Sequence, residues 1–323
     1  MTLIFKLSAG FAVLAASAAL AHAQDYPTRQ FKIVAPYPPG GQADVIGRII
    51  CQSLTTLLGQ PCLIENRPGA GGVAGTDAVV KAAPDGYTLL IADSGQWAIT
   101  PAIMAKPPYD PVRDLAPIGL VTTSALFIAI HSSVPANTIQ EFIALAKSKP
   151  GIYQYGSSGN ATVHHLIMET FKSSFGLDMP HVPYKGAGQS VPALVAGQVP
   201  VVAAGLVSLA PYAKAGQIRV LVASTQKRSP LAPDVVGMAE IGANDVDFPG
   251  ELGVFAPART PKPIIDKLAA ALQSAVKNPE YAKRTHAAGI EPASSTPEQF
   301  AEIIRVDQEK YRRAIKLSGA KVE

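Results

Sequence analysis

Two short segments have the residue types and spacing to hold an anion. Tyr37-Pro38-Pro39-Gly40-Gly41-Gln42-Ala43-Asp44 joins an apolar, strand-like stretch to an amphipathic, helix-like one. Glycines let the main chain come close to a guest, and the first-turn amides of a helix have no internal acceptor. The positive end of the helix dipole stands behind those amides. Gly40, Gly41, Gln42, Ala43 and Asp44, with Tyr37 beside them, are therefore expected to seat a carboxylate. Tyr155-Gly156-Ser157-Ser158-Gly159-Asn160-Ala161-Thr162 repeats the design. There Ser157, Ser158 and Thr162 add hydroxyl donors next to Gly159 and Asn160. Ser94 and Gln96, in Asp93-Ser94-Gly95-Gln96-Trp97, follow another strand and are expected at the same rim. If the two corners face each other, an extended carboxylate is held at both ends without a buried arginine. Asp44 reads first as a cap and second as the partner of an amine on the guest. Trp97, the only tryptophan, is expected in a core rather than as a lid.

Other chemistries fit less well. Gly69-Ala70-Gly71-Gly72-Val73-Ala74 matches G-x-G-x-x-A, with Asp93 about twenty residues on. Asn66-Arg67-Pro68, however, separates strand from glycines where a dinucleotide fold wants a direct turn. Gly156-Ser157-Ser158-Gly159 is not the G-x-S-x-G of a nucleophile elbow. Ser157 or Ser158 with His164 remains a hydrolase alternative, but His164 and His165 point about 100° apart on a helix, so only one of them faces the corner. His131 and His181 stand alone at strand ends, and no metal-ligand spacing occurs. No cofactor or metal is expected, and no enzymatic activity.

The elements that must position these corners alternate between short strands and amphipathic helices, the grammar of a parallel α/β sheet. Strands are expected at 31–35, 62–65 and 87–92. Helices follow, one with an apolar side running from Val45 to Leu58 and ended by Gly59, and one at about 73–83. An extended run at 118–130 exceeds the five or six residues of an ordinary strand, so it can leave one sheet and enter another. Then come helix 138–148, strand 152–155, helix 162–175, strand 181–184, helix 190–196, strand 199–203, helix 208–215 and strand 219–223. A strand at 252–256 returns, and three helices start near Pro261, Pro279 and Thr296. The chain is thus expected to form a two-domain α/β fold with a discontinuous first domain. Its parts are 24–122 and 250–323, with 123–249 inserted as the second domain.

Composition sets the compartment and class. With 48% apolar and 16% charged residues there is ample material for two cores. The net charge of +4 is scattered, unlike the basic stripe of a nucleic-acid binder. Lys6, an apolar run at 7–20 and Ala21-His22-Ala23 have the form of a cleaved signal peptide covering 1–23. The run is too short for a membrane span of about 20 residues, so a periplasmic location is expected. Cys51 and Cys62 are the only cysteines. In an oxidising compartment they are candidates for a bridge, which the sequence leaves open.

Several phrases occur in one order: Pro36-Tyr37-Pro38-Pro39-Gly40-Gly41, Glu65-Asn66-Arg67-Pro68-Gly69-Ala70-Gly71-Gly72 and Ala83-Pro84-Asp85-Gly86-Tyr87-Thr88-Leu89-Leu90. Tyr155-Gly156-Ser157-Ser158-Gly159, His181-Val182-Pro183-Tyr184-Lys185-Gly186, Phe255-Ala256-Pro257-Ala258 and Thr260-Pro261-Lys262-Pro263 follow. Together they resemble the Bug family, the substrate-binding receptors of tripartite tricarboxylate transporters. The resemblance implies a periplasmic Venus-flytrap fold, a small carboxylate as ligand and delivery to a two-subunit membrane permease, with a monomer as the working form. It implies binding positions in the Gly40–Asp44 turn, at Ser94 and Gln96, and in the Ser157–Thr162 turn. A ligand sensor for a membrane kinase is the alternative partner role. The chain departs from the family pattern at Ala204-Gly205, where members often carry Asp, and at Glu251, where many carry an aromatic residue. Both departures imply a ligand unlike the commonest ones.

Overall fold

The computed structural model describes residues 26–319; the signal peptide expected at 1–23 lies outside the described residues. No helix among the described residues is long and apolar enough to cross a membrane. The strands form two sheets. The first is built from β1 (Phe31–Ala35), β2 (Cys62–Asn66), β3 (Thr88–Asp93), β4 (Leu115–Ser124), β10 (Gly250–Pro257) and β11 (Glu291–Pro292). Its order is β11-β4-β10-β3-β1-β2. The second, in the order β7-β6-β8-β5-β9, takes β5 (Leu126–His131), β6 (Tyr155–Ser157), β7 (His181–Pro183), β8 (Val201–Gly205) and β9 (Ile218–Ala223).

Neither sheet is purely parallel, which corrects the sequence expectation. β1 pairs in parallel with β2 and β3, and β6 with β7 and β8. β10 is antiparallel to both β3 and β4, and β5 to both β8 and β9. A chain that passes between sheets and returns enters each one against the grain of the strand–helix units already there.

Helices of eight or more residues fill the connections: α1 (Gln42–Leu58), α2 (Val73–Val80), α3 (Ile139–Ser148), α4 (Val163–Phe175), α5 (Ala187–Val195), α6 (Leu206–Lys214), α7 (Lys262–Val276), α8 (Pro279–Ala287) and α9 (Pro297–Ser318). α1 shows why the first sheet closes on one side. Ala43, Ile46, Ile49, Ile50 and Leu54 recur at helical spacing and are buried. They meet Ile33, Ala35, Leu89 and Ile91 from the strands and Leu268 and Leu272 from α7. Gly59 ends α1 in the left-handed conformation, φ 72°, returning its amide to Thr55. The other face of the same strands, Val34, Leu90 and Phe255, lies in the core that includes Trp97, Phe300 and Ile304. Strands covered on both faces read as unbroken apolar runs, as these do. Burying a side chain such as Ile46 contributes about 1.5–3 kcal/mol.

Two crossings join the sheets. Only Ala125 separates β4 from β5, and Phe248 leads back into β10. Ser224 ties the crossings together: its Oγ accepts from the Leu126 amide at 3.2 Å and donates to the Phe248 carbonyl at 2.9 Å. A further link comes from α9, which packs on α4 of the second sheet. Cys51 of α1 and Cys62 of β2 form a disulfide with their Cα atoms 4.9 Å apart.

Candidate ligand-binding site

The register brings the site to the crossings. Asp93, the last residue of β3, pairs with Leu252, which pairs in turn with Thr122 just before the first crossing. Gly205, the last residue of β8, pairs with Leu126 just after it. The carboxyl ends of β3 and β8 therefore flank the same stretch of chain. Open α/β sheets bind ligands outside such strand ends.

The corner after β1 is an uncapped helix start. Gly41 is the N-cap of α1, has extended dihedrals (φ −72°, ψ 166°) and brings no side chain to the first-turn amides. The first helical bond is Val45 N–H to Gly41 O at 3.0 Å, so the amides of Gln42, Ala43 and Asp44 precede the helical ladder. Asp44 is 4% exposed. It accepts from the Gly40 amide at 2.9 Å and pairs with Arg48 at 2.9 Å. Burial pushes its carboxyl up, but the Gly40 amide and Arg48 outweigh burial and hold it below the ordinary carboxylate range. Asp44 thus braces the turn that precedes it.

The rim residues brace the same corner from behind. Gln96 is 0% exposed. Its Nε2 donates to the Tyr37 hydroxyl at 2.8 Å and to Gly71 O at 3.0 Å, and its Oε1 accepts from Asp93 N at 3.1 Å. The Tyr37 hydroxyl in turn donates to Asp93 Oδ1 at 3.1 Å. Gln96, expected at the ligand, is placed where it ties together the loops after β1, β2 and β3. Tyr37 has its hydroxyl committed inward. Burial raises the Asp93 carboxyl, against the Gly95 amide and the Tyr37 hydroxyl. Ser94 is buried beside it. Trp97 is in the core, edge-on to Phe300 and donating to Asp307 at 2.8 Å.

The corner after β6 is largely self-satisfied. Thr162 caps α4, accepting from His165 N at 3.4 Å and donating to Gly159 O at 2.8 Å. Ser157 is 0% exposed. Its Oγ lies 2.6 Å from His181 Nε2 and 3.1 Å from the Gly159 amide. The hydroxyls of Ser157 and Thr162, expected to serve the ligand, are spent on the turn itself. Ser158 Oγ is buried and makes no hydrogen bond within the described residues, and Asn160 is exposed. The histidine that meets Ser157 is His181, not the His164 of the hydrolase alternative. His181 is also not isolated, since its ring stacks on His165.

Sequence reasoning missed the start of α5, reached from β7 through Tyr184 and Gly186. The amides of Tyr184 and Gly186 donate to the carbonyls of Ser157 and Ser158 at 3.0 and 3.1 Å, zipping the two loops together. Gly186 caps α5 with no side chain. The Tyr184-Lys185-Gly186 phrase carried the signal.

Two mixed sheets joined by paired crossings are the fold of the periplasmic binding proteins. One solved structure of that class, an R. palustris protein with adipate, superposes with a TM-score of 0.79 at 28% identity, covering 92% of this chain and 100% of that one. MatC from Rhodopseudomonas palustris, with bound malate, superposes at 0.73 with 28% identity, covering 90% and 100%. BugT of Bordetella pertussis is 31% identical over 324 residues, 100% of this chain and 99% of that protein. Residues 46–319 match the tripartite tricarboxylate transporter family receptor, and the chain belongs to that family. Its members are solute-binding receptors.

Proposed function

We propose that this chain, exported and freed of residues 1–23, captures a small carboxylate between two domains divided near residues 123 and 249. It delivers that solute to a membrane permease of the tripartite tricarboxylate type. The observation that carries the reading is the uncapped start of α1, where three amides meet the positive end of a 17-residue helix. The malate and adipate bound by the two relatives make dicarboxylates the first class to test. Glu251 and Ala204, beside the crossings, are the positions where selectivity would diverge.

A thermal-shift screen over mono-, di- and tricarboxylates identifies the ligand. A binder at about a hundred times its dissociation constant adds about 2.7 kcal/mol. Gly41→Ser then tests the seat. The Gly41 backbone suits any residue, and an added Cβ would meet only Pro38 O at 3.4 Å. A serine cap competes for the amides that the carboxylate uses. The variant should gain a few tenths of a kcal/mol in the free protein and lose about 1 kcal/mol of binding, roughly fivefold in affinity. Unchanged affinity in Gly41→Ser removes the α1 start from the site.

A further inference from the structure

One residue of the second corner holds a backbone conformation that its side chain disfavours. Ala161 has φ 56°, the left-handed region in which a Cβ is strained, and it is buried immediately before the cap of α4. Its amide donates to Nδ1 of His165 at 3.1 Å. An amide can only donate, so Nδ1 must present a lone pair, and the ring's one proton sits on Nε2.

The surroundings keep that ring neutral. His181 lies face to face with it, centroids 3.9 Å apart and planes within 8°, so charge on one ring opposes charge on the other. Tyr155 stacks on His181 in turn, at 4.9 Å. Oε1 of Glu169, 4.0 Å from His165 Nε2, would favour a charged ring, but it already receives Lys172 Nζ at 2.6 Å and the Tyr155 hydroxyl. Burial lowers the pKa of His165, Glu169 opposes this and Lys172 reinforces it. Burial, with His165 next, pushes His181 down to about 4.

We propose that neutral His165 is the positioning residue of the second corner: its Nδ1 lone pair latches the Ala161 peptide and so the turn at 158–162, and protonation of His165 opens that latch. The consequence for ligand affinity rests on the receptor reading above; the latch itself does not. A proton arriving at Nδ1 sets two N–H donors against each other, and the strained Ala161 peptide loses this acceptor. The corner then relaxes and its grip on a carboxylate falls, which would favour release in acidic surroundings.

Hydrogen exchange of the 157–162 amides, expressed as protection factors between pH 7.5 and 4.0, tests the latch without a ligand. The wild type should lose protection at least tenfold over that range. His165→Asn, made in a His181→Asn background so that no imidazole against the turn titrates in this range, places a carbonyl near the Nδ1 position, and its protection should stay within twofold at every pH. His165→Leu should be low throughout. Wild-type protection that does not change with pH, or a His165→Asn variant that follows the wild type, overturns the proposal even if His165→Leu fails to fold. Malate and adipate titrations on the same samples separate the two readings. Exchange that behaves as stated while neither acid binds keeps the latch and counts against the receptor site.

Discussion

Gln96 donates to the hydroxyl of Tyr37 at 2.8 Å, and through that contact the loops after β1 and β3 become one body. The same amide reaches Gly71 O, so the loop after β2 joins them. A turn rich in glycine is free to take many shapes, and this one is held in a single shape by a side chain that never reaches the surface. Preorganised donors bind better because less is spent on ordering them.

Replacing Gln96 with Leu keeps the volume and strands its partners. Gly71 O, Asp93 N and the Tyr37 hydroxyl each lose a bond in a buried setting. The expected loss is about 2–4 kcal/mol, read as a lower urea midpoint with an unchanged slope. A loss below about 0.5 kcal/mol would show that the brace is dispensable.

Glu251 should make stability fall as pH rises. Burial lifts its carboxyl from the usual 4.5 to about 8; Asp307 adds to the rise, Lys310 opposes it and Asp247 adds again. The folded chain therefore binds a proton that the unfolded chain has released between those values. The stabilisation is full below about pH 4.5 and is lost as pH passes through 8. Glu251→Gln should become the more stable form, relative to wild type, by up to about 4 kcal/mol between pH 5 and pH 9. Chemical denaturation across that range measures the difference; a constant gap would refute it.

The Cys51–Cys62 bridge closes a loop with a sequence separation of 11. Removing it as Cys51→Ala with Cys62→Ala should cost about 2–3 kcal/mol on chain-entropy grounds. Cys62 opens β2, whereas the corners lie at the opposite, carboxyl ends of the strands. Ligand affinity should stay within about twofold. A large drop in affinity would mean that the bridge shapes the site.

Much of the fold was legible because apolar periodicity reports burial directly. The α1 stripe and the long run at 118–130 both did so; the run proved to be β4 and β5 with Ala125 between them. The strand expected at 152–155 lies instead at Tyr155–Ser157, and Ile152 is 65% exposed. Gly156 and Ser157 have little strand preference of their own, and pairing with β7 and β8 imposes it. The helical stretch from Gly95 to Ile103 was missed because Gly95 and Pro101 argue against a helix. The candidate corners were legible as turns but not as side-chain directions. Nothing in the spacing says that Gln96 points inward, or that His181 meets a serine 24 residues earlier in the chain.

Strand β10 lies between β3 and β4, yet more than a hundred residues part it from both in the chain. As the polypeptide is synthesised from its amino end, the first sheet must wait with its middle position empty. All strands of the second sheet have by then emerged in one continuous stretch. Local contacts form faster than distant ones, so the sheet encoded in the middle of the chain is positioned to form first and to serve as the template on which the divided first sheet closes.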